Sequence, residues 1–263
     1  MDLHLTNKVA LVTGSTAGIG LAIAQRLAAE GAQVILTGRT AARLEEAQAT
    51  ILAATPQANV RGVAVDFGRA DEVQRLLREV PTVDILVNNV GIFEPKPFAD
   101  ITDDEWLRFF EVNVLSGVRL SRQYFPLMLA QNWGRILFIS SESGLQIPEE
   151  MIHYGTTKTA QLGVARGLAE LTKGTDVTVN SVLPGPTASE GVQEFLSKLS
   201  AEGKTKEEAE HDFFQQARPS SLLQRFATTD EIATMVAYLA SPLAAATNGA
   251  SVRVDGGVIR SIA

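Results

Sequence analysis

Cysteine is absent from this 263-residue sequence, which excludes disulfides, thiolate nucleophiles and sulfur-ligated metals at once. Histidine is scarce too. His4, His153 and His211 are scattered, and neither they nor the carboxylates show metal spacing such as H-E-x-x-H, so no metal is expected. No apolar run approaches the ~18 residues that a bilayer-spanning helix needs. Positive charge is in the minority, 23 Lys and Arg against 30 Asp and Glu for a net −7. Without a Lys/Arg stripe, nucleic acid and anionic membranes are not expected partners. An anionic cofactor stays open, because a phosphate needs only local N–H groups and one or two cations. Repeats, low-complexity tracts and interdomain linkers are also missing, so a single domain over residues 1–263 is expected. The polar stretch Met1 to Lys8 does not read as a signal peptide, and with no cysteine the expected setting is cytoplasmic.

What is present is a regular alternation. Short apolar runs occur at Val9–Thr13, Val34–Thr37, Val60–Val65, Val83–Asn88, Arg135–Ser140, Val177–Leu183 and Ser251–Val254. Runs apolar on both faces suit strands covered by helices on both sides. Helical period fills the gaps near 18–30, 41–54, 70–80, 102–131, 152–172 and 228–240. The pattern predicts an α/β domain of Rossmann type, a doubly wound, seven-stranded parallel sheet with right-handed crossovers. Thr102…Glu105, Thr205…Glu208 and Thr228…Glu231 have capping-box spacing. Residues 187–226 break the alternation with a long, charged, partly helical stretch, expected to be a lightly packed substrate lid.

The first run leads into Gly14-Ser15-Thr16-Ala17-Gly18-Ile19-Gly20 and then an Ala/Leu-rich helix. Glycines between a strand and a helix N-terminus allow a tight turn and close approach of a ligand. The free N–H groups and positive dipole of the helix end suit a pyrophosphate. After the second run stands Gly38-Arg39, where an acid would accept from a ribose and repel a 2′-phosphate; an arginine accommodates that phosphate. NADP(H) is therefore expected, with NAD(H) as the alternative.

Tyr154 and Lys158 stand four residues apart on a helix and share a face. A phenol titrates near 10, too high for ready acid–base work, and a nearby ammonium is expected to lower it. Ser141 lies thirteen residues upstream, just past a strand, where parallel sheets place ligands.

Taken together, these elements resemble the short-chain dehydrogenase/reductase family over essentially the whole chain. Thr13-Gly14-x-x-x-Gly18-Ile19-Gly20 matches its cofactor turn, and Asn88-Asn89-Val90-Gly91 its N-N-A-G element with Val for Ala. Asn113, Ser140-Ser141-x-Ser143-Gly144, Tyr154-x-x-x-Lys158, Pro184-Gly185-Pro186-Thr187 and Val254-Asp255-Gly256-Gly257 follow in the family's order.

The resemblance implies an oxidoreductase acting on a carbonyl or secondary alcohol. Tyr154 would be the acid/base and Ser141 the oxygen-binding hydroxyl. Lys158 would lower the phenol's pKa and bind the nicotinamide ribose, while Asn113 would hold a water and kink its helix. Asp66 and Phe67 would contact adenine, Asn89 and Gly91 the adenosine ribose, and Pro184, Gly185 and Thr187 the nicotinamide side. It also implies a homodimer or homotetramer. Ile92, Phe93, Leu145, Ile147, Met151 and Val192, with Phe195 or Phe213 from the lid, are expected to make an apolar or mixed substrate pocket. A 3-oxoacyl thioester reductase and a polyol or sugar dehydrogenase are the alternatives. A catalytically silent dinucleotide-binding protein and an epimerase or dehydratase are the readings from other classes.

Overall fold

Seven strands form where the seven apolar runs stand: β1 Val9–Val12, β2 Gln33–Gly38, β3 Val60–Ala64, β4 Ile85–Asn88, β5 Gly134–Ile139, β6 Val177–Pro184 and β7 Ser251–Val254. The computed structural model describes residues 1–189 and 205–262. All neighbouring strands pair in parallel, in the order β3-β2-β1-β4-β5-β6-β7. The order reverses between β1 and β4, so their C-terminal ends open into a crevice where ligands bind in such sheets.

Eight helices are described between the strands: α1 Gly18–Ala29, α2 Ala41–Ala54, α3 Ala70–Glu79, α4 Asp103–Phe110, α5 Ser116–Ala130, α6 Ile152–Glu170, α7 Lys206–Gln216 and α8 Thr229–Ala240. They bury both faces of the sheet. Ala10 and Val12 of β1 face Ile23 and Leu27 of α1 and Ile232 and Val236 of α8. Leu11, between them, turns the other way toward Leu76 of α3, Tyr124 and Met128 of α5 and Ala165 of α6. Alternation along one strand thus feeds two cores, which explains why the runs are apolar throughout. All three expected capping boxes form, at the starts of α4, α7 and α8.

Two expectations change. The helix expected over 102–131 is broken by one π turn at Glu111–Leu115, which separates α4 from α5. The segment expected to be a loose lid, 187–226, falls partly outside the described residues, including Val192 and Phe195. Its described part after α7 begins is well fastened. Phe213, Phe214 and Phe226 stack as a cluster with ring centroids 5.0–5.2 Å apart. Leu222 and Leu223 donate to the Gly256 carbonyl, and Thr187 bridges Ala227. Phe213 therefore belongs to this packing rather than to a pocket, because aromatic rings find more area in each other than in a wet cleft.

Candidate active site

The crevice begins at the turn after β1. Gly14 has φ +61°, a backbone that glycine adopts freely. Gly20 has no room for a side chain: a Cβ would stand 2.2 Å from the Gly14 carbonyl oxygen and 2.5 Å from Asn89 Nδ2. Ala17 precedes α1 without any side-chain cap, so the first N–H groups of that helix are left for a ligand. Thr16, Gly38, Arg39, Asp66, Phe67 and Gly91 line the same cleft, of about 740 Å³. Arg39 is exposed and has no hydrogen bond or ion pair among the described residues.

Several expected cofactor residues also tie the scaffold together. Ser15 is fully buried; its N–H donates to the Thr37 carbonyl and its hydroxyl to the Val12 carbonyl. Asn89 spends its amide on the Thr13 and Gly14 carbonyls, holding the glycine turn against β4. Asp66 accepts from Gly68 N–H, and the Phe67 side chain joins the core. Pro184 pairs with Val254, while Gly185 lies so close to Asp255 that a Cβ would meet its backbone at 2.6 Å. Thr187 donates to the Gly185 carbonyl at 2.9 Å.

Deeper in the crevice, Asn113, Ser141, Tyr154 and Lys158 converge from three elements. The π turn buries Asn113 and aims it inward, where its amide pairs with both backbone groups of Ile92 and donates to Thr157 at 2.9 Å. This is the local distortion expected of its helix. Lys158 is 4% exposed and donates to the Ile139 carbonyl at 2.9 Å, with Gln161 Oε1 at 3.4 Å. Gln161 in turn donates to the Asn113 carbonyl at 2.6 Å. Loss of water around the ammonium lowers its pKa to about 8. Gly91 closes this corner, since a Cβ there would lie 3.4 Å from Lys158 Nζ.

Tyr154 departs from expectation. Its pKa is raised, not lowered, first by burial and then by the carboxylate of Glu142; a hydrogen bond to Ser141 and the charge of Arg218 oppose this weakly. Lys158 Nζ sits 5.6 Å from the ring centroid and does not reverse the shift. Burial and the Glu142 charge thus favour the protonated phenol, the form that donates. Phe93 meets the ring edge-on at 6.2 Å. His153, beside Tyr154 in sequence, points away and packs 4.0 Å from Phe109.

Glu142 and Arg218 escape sequence reasoning. The Ser141 hydroxyl donates to Glu142 Oε2 at 2.5 Å and accepts from Ser143 N–H at 3.1 Å. Arg218, just past α7, reaches Glu142 at 3.1 Å and Glu150 at 3.6 Å. An acid directly after the strand-end serine was visible in the sequence, but nothing marked an arginine 76 positions away as its partner. Leu145 and Ile147 are half exposed. No group of three or more metal-ligating side chains occurs among the described residues, and no described helix is long and apolar enough to cross a membrane.

The chain is similar to known proteins over its full length. The uncharacterized oxidoreductase YvaG of Bacillus subtilis is 49% identical, with both chains covered completely. The 3-oxoacyl-(acyl-carrier-protein) reductase FabG of Aquifex aeolicus is 33% identical over 98% of this chain and all of its own. The L-sorbose reductase of Gluconobacter frateurii, solved with NADPH and L-sorbose, superposes with a TM-score of 0.94 at 30% identity, each chain fully covered. The model of the short chain dehydrogenase family matches residues 8–200. With that match across most of the length, the parallel sheet and the gathering of Ser141, Tyr154 and Lys158 beyond the end of β5, the chain belongs to the short chain dehydrogenase family of oxidoreductases.

Proposed function

We propose that this chain interconverts a carbonyl and a secondary alcohol with NADP(H), using Tyr154 as the proton donor in reduction. The observation that carries the reading is the gathering of Ser141, Tyr154 and Lys158 in one corner of the crevice, with Lys158 buried and its ammonium 5.6 Å from the Tyr154 ring centroid. The uncapped start of α1 and Arg39, which has no partner among the described residues, would hold the cofactor's phosphates, and its nicotinamide, bound beside Tyr154, would supply or accept the hydride. Tyr154 gives its proton to the substrate oxygen as the C=O π pair moves onto that oxygen, and is reprotonated from solvent. Ser141 hydrogen-bonds the same oxygen and stabilises its developing charge. Lys158 holds positive charge beside the phenolate left behind, and Asn113 and Gln161 hold Lys158 in place.

Replacing Tyr154 with Phe removes one hydroxyl and leaves the packing. We expect kcat to fall by about 10²–10⁴, with NADPH binding by fluorescence nearly unchanged. Retention of more than about a tenth of wild-type kcat would remove Tyr154 from the role.

The protein works in the cytoplasm as a homodimer or homotetramer. The absence of cysteine supports the first, and leucines left exposed beside and along α5, Leu115 and Leu127, support the second.

A further inference from the structure

The pair formed by Glu142 and Arg218 has no place in the chemistry above. Glu142 is only 5% exposed, and the Arg218 side chain is 11% exposed. A charge this deep is costly unless paired, so the arrangement is built rather than incidental. Its carboxylate holds the one proton of the Ser141 hydroxyl. That hydroxyl hydrogen is the one the substrate oxygen would accept as a hydrogen bond, while Tyr154 supplies the proton that is transferred.

We propose that Glu142 is a positioning and specificity-determining residue that selects substrates bearing a hydroxyl on the carbon next to the carbonyl. The proposal rests on the reaction assigned above and names its substrate class. A plain ketone can take the Ser141 proton only by stripping a hydrogen bond from a buried carboxylate, which leaves that acceptor short of a partner. A 2-hydroxyketone avoids the loss. Its hydroxyl donates to Glu142 Oε2 while its carbonyl oxygen takes the Ser141 proton, so every donor and acceptor stays occupied. The two substrate oxygens lie on adjacent carbons, and Ser141 Oγ and Glu142 Oε2 are 2.5 Å apart, a matching spacing. Reduction turns the 2-hydroxyketone into a vicinal diol as NADPH is oxidised, with the proton coming from Tyr154.

Arg218 fixes the carboxylate from the far side through Oε1 and is itself shared with Glu150. Four charged groups therefore bear on Tyr154: Glu142, Arg218, Glu150 through Arg218, and Lys158. Removing the first two should act in opposite directions. Glu142→Gln takes away a negative charge and favours the phenolate; Arg218→Gln takes away a positive charge and disfavours it.

The test compares 1-hydroxy-2-butanone with 2-butanone as substrates of the wild type, E142Q, E142A and R218Q, each first checked for folding by its melting temperature and for NADPH binding by fluorescence. Wild type should prefer the hydroxyketone in kcat/KM by about tenfold or more, the size of one charge-assisted hydrogen bond. The preference should fall to near one in E142A. The alkaline limb of the kcat/KM profile should move to lower pH in E142Q and to higher pH in R218Q. No preference in the wild type, a preference that survives E142A, or limbs that move together in both variants would overturn the assignment. Activity on both ketones without preference overturns this inference alone, whereas wild type that binds NADPH and reduces neither overturns the underlying reaction as well.

Discussion

At the scale of single residues, the site pairs groups whose ordinary acidities have been pushed apart. Tyr154 is held protonated by burial and by Glu142, while Lys158 has lost part of its hold on a proton through desolvation. The lysine's shift has a consequence for stability. Its pKa falls from 10.5 to about 8 on folding, so the unfolded chain binds that proton more tightly. Below pH 8 the ammonium is charged in both states and the folded protein carries the whole desolvation cost. Between about 8 and 10.5 the folded state sheds the proton first, and the cost fades. Lys158→Met should therefore stabilise the cofactor-free protein at pH 7, by at most about 3 kcal/mol, less what its two hydrogen bonds contribute. The gain should shrink at pH 9.5 while turnover is lost at both. Urea unfolding at the two pH values measures this; an equal change at both would contradict it.

Arg39 is the second residue with a separable role. Arg39→Ala should raise the KM for NADPH far more than that for NADH, because only the 2′-phosphate loses a charge-assisted bond. Initial rates with both cofactors decide, and parallel changes would deny Arg39 the phosphate. The companion change Gly38→Asp is less clean than the sequence suggests. A Cβ at 38 would stand 2.4 Å from Thr16 Cγ2, so an acid there needs a smaller residue at 16.

At the scale of elements, most of the local code was readable. Seven both-sided apolar runs became seven strands, and three Thr/Glu spacings became capping boxes, because both depend on contacts within a few residues. The π turn was legible only through a resemblance at Asn113. No local signal distinguishes a π turn from a continuing helix; it is set by the pull of Ile92, Thr157 and Gln161 on that one residue. Helix α5 also carries a prediction. Its exposed Leu127 and the nearby Leu115 leave apolar surface uncovered, 41% and 39% exposed. Light scattering should give a mass of two or four chains, and Leu127→Glu should shift it toward one. A monomeric wild type would remove the assembly.

For the molecule as a whole, the sequence by itself determined the two-sided burial of the strands, the glycine turn that opens the crevice, and the Tyr154–Lys158 pair. Each of these is written in spacings shorter than about one helix. Tertiary structure alone decided three things. It gave the Ser15 hydroxyl and the Asn89 amide a second task as ties within the turn and its neighbouring strands, since a buried polar group takes the nearest backbone partner the fold offers. It fastened residues 205–226 by a cluster of three phenylalanines. And it brought Arg218 onto Glu142, while burial and the Glu142 carboxylate, against the opposing charge of Arg218, reversed the expected shift of Tyr154. Acidity at a buried site is fixed by the sum of solvent exclusion and every nearby charge, and those charges arrive from segments that only folding places side by side.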